Sequence, residues 1–163
     1  MTSVEIEAVF DQVTRIWRRA GIEVEFGSGG ERRGTALRLV LTDAVVRPPG
    51  PTLCAMGAIR FVDRTPEPEL TVSVGAIREF VRQARPGQSP GLQMLYAARI
   101  AGRVAAHEMG HYLLGDKQHR ARGLMRTRFD GDELFAPRLE PFAAPPRDQL
   151  AEGFARLAGV EAW

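Results

Sequence analysis

Lysine occurs once in the 163 residues, at Lys117, and cysteine once, at Cys54. A single cysteine cannot close a disulfide within the chain, so the fold does not draw on an oxidising compartment. The other basic residues are arginine, and 20 acidic residues offset the 22 bases to a net charge of +2. That balance lacks the concentrated positive field of a nucleic-acid-binding domain. No uncharged apolar stretch approaches the roughly 18 residues of a membrane span. Residues 1–8 include Thr2, Ser3, Glu5 and Glu7, where a secretory leader would place basic residues and then an apolar run. Neither a membrane nor a nucleic acid is therefore expected as a partner. Aromatics are sparse at 7%, but 44% hydrophobic and 26% charged residues make an ordinary globular composition. The length suits one core that buries roughly two thirds of the unfolded surface. With no repeat or boundary visible, residues 1–163 are expected to form a single domain.

Hydrophobic periodicity predicts an α+β fold. In residues 3–20, Val4, Phe10, Val13, Ile16 and Trp17 recur near the helical period and Gly21 offers a stop, which predicts an amphipathic helix packed on a sheet. Ile22, Val24 and Phe26 alternate with Glu23 and Glu25, the pattern of a strand with one buried face. Leu37, Leu39 and Leu41 oppose Ala36 and Val40, which predicts a central strand covered on both sides. Further extended stretches are expected over 53–62 and 70–74, separated by proline-rich 64–69, with Cys54 as a core thiol; a short helix should follow over 76–85. Ser89 and Pro90 then open a helix over 92–114 that is apolar nearly all round, hence buried in the middle of the domain. Beyond proline-rich 137–146, Leu150, Phe154 and Leu157 mark a last amphipathic helix. About four strands in a twisted mixed sheet are expected.

The three histidines all fall between His107 and His119. In His107-Glu108-Met109-Gly110-His111 the two histidines are four apart, so on a helix both imidazoles share a face and can converge on one metal ion. Glu108 stands beside them, within reach of a water on that metal. With one further ligand and an open position, a zinc ion lowers the pKa of its water to about 7, and the carboxylate takes the proton as the water attacks a carbonyl. The plain alternative is one buried, hydrogen-bonded histidine and one surface histidine. Against it, Ile100, Val104, His107 and His111 continue one stripe into the interior, where an unpaired imidazole is costly.

The run His107-Glu108-x-x-His111, Leu114-Gly115, His119 and Gly123-Leu124-Met125 resembles the metzincin clan of zinc endopeptidases, in particular its small bacterial members. The resemblance implies a metzincin-like domain with zinc on His107, His111 and His119, Glu108 as general base, the helix-ending turn at Gly115 and a methionine turn at Met125. It further implies that Arg126 and Arg128 wall a substrate pocket with a leaning toward acidic residues. Thr127 stands where some branches carry a tyrosine near the metal, so no tyrosine ligand is expected, and Tyr112 should be packed. The usual spacing would put the glycine and the third ligand at Leu114 and Lys117; Gly115 and His119 lie one and two residues later, so the turn must be longer. Asp116 is the alternative ligand nearest in sequence. The clan's strand before the first helix has no counterpart, which a start shortened from a longer precursor would explain; the protein would then be secreted, and otherwise cytoplasmic.

The expected function is that of a zinc-dependent endopeptidase acting on a peptide or protein laid along a sheet edge. Two alternatives stand beside it. One is a zinc-binding module without catalysis, which Glu108 argues against because a structural site needs no base. The other is a gluzincin-like protease with Glu133 as third ligand, although Glu133 follows a turn-like run over 128–132.

Overall fold

The computed structural model describes residues 1–27, 35–44 and 56–157. Within them the chain is α+β: helix α1 (Ser3–Arg18), strands β1 (Arg38–Thr42), β2 (Gly57–Val62) and β3 (Thr65–Ser73), then α2 (Val74–Ala84), α3 (Pro90–Leu114), α4 (Gly131–Phe135), a 3-10 turn (Glu140–Phe142) and α5 (Arg147–Leu157). None of the helices is long and apolar enough to cross a membrane. Cys54 and the first part of the 53–62 stretch lie outside the described residues.

Helix α1 opens on a capping box in which the Thr2 N–H donates to Glu5 at 2.6 Å and the Glu5 N–H donates to the Thr2 hydroxyl at 3.3 Å. Its buried face holds Val9, Val13, Ile16 and Trp17. Val4, expected on that stripe, is 70% exposed. It lies nine residues before Val13, about two and a half turns, which sets it on the opposite face. Phe10 stacks on Phe26 with ring centroids 3.7 Å apart. In the segment 22–26, Ile22 and Val24 are half-buried between exposed glutamates, but Phe26 is exposed, and the segment pairs with no strand among the described residues. Ile22 and Val24 pack on the core directly, so the alternation records one-sided burial and not a ladder.

The sheet has three strands among the described residues, in the order β1-β3-β2, with β1 parallel and β2 antiparallel to β3. The central strand is therefore β3, not the 37–41 segment, which forms a half-buried edge. Proline-rich 64–69 does not separate two strands either. Asp63 and Arg64 adopt φ of 47° and 69° and close a two-residue hairpin, and β3 starts at Thr65. Pro66 and Pro68 are tolerated because β1 pairs only from Glu69 onward and the β2 ladder is irregular between Ile59 and Phe61.

Helix α3 is the hub, packed against α1, α2, α4, α5 and the sheet. Ser89 caps its N-terminus, and Ala97, Ala98, Ala101, Ala105 and Ala106 let neighbours close in on its buried turns. The 128–132 run, expected as a turn, leads into α4. There Arg103 of α3, 2% exposed, donates to the carbonyls of Glu133, Leu134, Ala136 and Arg138 at 2.7–2.8 Å. Helix α5 buries Leu150, whereas Phe154, expected inward, is 37% exposed. Arg156 of α5 donates to the Leu114 carbonyl at 2.5 Å and so holds the last turn of α3.

Candidate metal centre

Helix α3 carries His107 and His111 one turn apart near its C-terminus. It stops at Gly115, whose φ of 64° reverses the chain at little cost for a residue without Cβ. The turn that follows is held by Asp116, whose carboxylate accepts from the Gln118 N–H at 2.9 Å and from Arg120 at 3.1 Å. Those bonds shape the turn between Gly115 and His119, which brings His119 to the other two histidines. Nε2 of His107 lies 3.1 Å from Nε2 of His111 and 3.3 Å from Nε2 of His119. Among the described residues these three form the one group of potential ligands close enough to hold a metal ion.

The bonds made on the far side of the rings decide which nitrogens are free. Nδ1 of His107 lies 2.7 Å from the Leu124 carbonyl, and Nδ1 of His111 lies 2.9 Å from that of Asp116. A carbonyl only accepts, so each Nδ1 carries the proton and each Nε2 of a neutral ring carries a lone pair. Burial keeps both rings neutral: it pushes His107 down to about 4 and lowers His111 as well. Two lone pairs then face each other at 3.1 Å, and a single proton from His119 could satisfy only one of them. A cation among them turns the repulsion into ligation. Nitrogens around a tetrahedral zinc at about 2.0–2.1 Å stand about 3.3–3.4 Å apart. The donor set and its spacing therefore fit a metal ion, and the carbonyl bonds are the outer support that ligating histidines normally have.

Glu108 is 9% exposed, and its carboxylate has no hydrogen-bond partner among the described residues. Burial raises it to about 7. The strand β2 crosses it closely at Gly57, where a Cβ would stand 2.9 Å from Glu108 Oε1 and 2.4 Å from Val104. Met125 is 1% exposed and lies against Gly110, where a Cβ would come 2.3 Å from its sulfur. Its loop is fixed by the Arg120 N–H donating to the Met125 carbonyl at 2.8 Å and the Leu124 N–H donating to Ala143 at 2.8 Å. Gly57 and Gly110 escaped the sequence reading as site residues, although a glycine inside a strand or helix pattern is itself a sign of close approach.

The two carboxylates considered as alternative ligands are engaged elsewhere. Asp116 holds its own turn, and Glu133 accepts from Arg126 at 2.9 Å and from the Asp130 N–H at 3.0 Å. Arg126 is thereby tied to Glu133 and packed over the Phe129 ring, while Arg128 and Thr127 are exposed. Tyr112 is packed in the core, 7% exposed. No family model, curated protein or solved structure matches this chain.

Proposed function

We propose that the chain is a zinc-dependent endopeptidase of metzincin type, with the ion on His107, His111 and His119 and with Glu108 as general base. One observation carries the reading: three imidazole nitrogens converge near the end of α3, where Glu108, next to His107 in the chain, is a buried carboxylate with no hydrogen-bond partner among the described residues. Zinc on three such ligands keeps an open position, acidifies water and polarises a substrate carbonyl. Glu108 would take the proton from the attacking water and return it to the leaving amine, a role its freedom from ion pairs supports. The strand β2 is a sheet edge among the described residues and passes Glu108 at Gly57, so an extended peptide added along it would bring a backbone carbonyl to the centre. The clan assignment is supported by the order of histidines, the glycine-ended helix and the buried Met125 packed under α3.

The test is Glu108→Gln, which removes the base and keeps the shape. The variant should retain folding and metal while peptide cleavage falls by about 10²–10⁴-fold, the usual contribution of proton transfer. A zinc-loaded wild type that cuts nothing in a broad peptide library would instead favour the non-catalytic binding module.

A further inference from the structure

The loop that carries His119 and Met125 is unusually basic for a chain of net charge +2. Residues 117–129 hold Lys117, Arg120, Arg122, Arg126 and Arg128 and no acid. Two of these are neutralised from outside the stretch, Arg120 by Asp116 and Arg126 by Glu133. Lys117, Arg122 and Arg128 are exposed and have no acidic partner among the described residues. The pocket arginine named first from the sequence, Arg126, is thus committed, and the free charge lies elsewhere.

Lys117 occupies the informative position. It stands two residues before His119, and its Nζ lies 5.0 Å from the centroid of the Phe61 ring on β2. A cation over an aromatic face is held by the ring's quadrupole while its remaining donors stay free. The strand β2 therefore runs from Glu108, at Gly57, to Lys117, at Phe61. Four residues of extended chain cover about 13 Å. A peptide lying along that edge would meet the general base near one end and the ammonium near the other. Asp116, the acid next to Lys117, is occupied by the Gln118 N–H and Arg120 and leaves the ammonium unmatched.

We propose that Lys117, seated on Phe61, selects peptides carrying an aspartate or glutamate side chain, in a subsite about four residues from the bond presented to Glu108. Arg122 and Arg128 add long-range attraction for the same acidic chain. The proposal rests on the reading of β2 as the peptide-binding edge, and its binding arm does not require that a bond be broken.

The experiment uses zinc-loaded Glu108→Gln protein and labelled peptides that differ at one position, Glu, Gln or Lys, with affinity read by fluorescence anisotropy at low and high salt. The Glu peptide should bind about fivefold tighter than the Gln peptide at low salt, the scale of one exposed ion pair, and lose the advantage at high salt. Lys117→Glu should reverse the ranking toward the Lys peptide with zinc content unchanged, and Lys117→Arg should preserve it. Equal binding of the three peptides, a ranking untouched by Lys117→Glu, or no binding at all would overturn the proposal. Parallel cleavage assays of the wild type separate the two readings. Cleavage without charge preference sinks this subsite and leaves the endopeptidase standing. Charge-selective binding without cleavage keeps the subsite and removes the protease.

Discussion

Replacing Gly110 by alanine sets two effects of opposite sign against each other. In the interior of an exposed helix the exchange gains about 0.8–1.0 kcal/mol from backbone propensity. Here the new methyl would lie 2.3 Å from the Met125 sulfur and 3.1 Å from its Cε, whereas ordinary contacts between such atoms are about 3.5–4.0 Å. Met125 must therefore move by more than about 1 Å, and at 1% exposure it has only packed atoms to move into. Overpacking of this kind costs about 1–3 kcal/mol, so Gly110→Ala should be net destabilising by about 1 kcal/mol, reversing the usual helix rule. Met125→Ala alone should cost about 2–5 kcal/mol through the cavity it leaves. In the double variant the methyl introduced at position 110 fills part of that cavity without a clash, so the two effects should couple favourably by about 1–2 kcal/mol. Urea unfolding of the four proteins, all stripped of metal so that ligand linkage does not enter, measures the cycle. A Gly110→Ala protein stabilised by the full helical increment, or strict additivity in the double variant, would refute the packing of Met125 on α3.

Two other perturbations test the frame around the site. Burial pushes the Glu5 carboxyl up, but its bonds to the Thr2 N–H and hydroxyl and to Arg78 outweigh this and hold it below 4.5. The stability it contributes is therefore complete above the unfolded value and lost as pH falls through the folded one. Glu5→Gln should be about 1 kcal/mol less stable than wild type at pH 7, and the difference should shrink as pH falls below the ordinary glutamate range; a difference that stays constant with pH in thermal melts would contradict the assignment. Arg103→Met keeps most of the bulk but strands four carbonyls of the α4 region. It should cost about 3 kcal/mol or more and raise amide exchange over 133–138, whereas unchanged exchange there would show that the guanidinium is dispensable.

The two long helices were legible because sixteen and twenty-five residues repeat the period several times, as Val13, Ile16 and Trp17 show in α1. The sheet was less so. Five residues of β1 cannot distinguish a covered edge from a centre, and prolines conceal β3 because their tolerance depends on where a neighbouring strand begins. At the site, the convergence of His107 and His111 followed from helical spacing, and His119 from its order after the helix-ending glycine. What the residue string could not carry were the carbonyls of Leu124 and Asp116 that set the tautomers, since every residue has one. Nor could it foretell that Glu133 would be spent on Arg126, or that an arginine without an acidic partner would sit in the core at position 103.

Metal content of purified wild type and His119→Ala, measured by elemental analysis, tests most directly whether the three nitrogens share one ion. Wild type should carry about one zinc per chain, and His119→Ala should lose most of it in dilute buffer, while Asp116→Ala and Glu133→Ala stay near wild type. A wild type that takes up no transition metal, or a His119→Ala protein that retains full zinc, would contradict it.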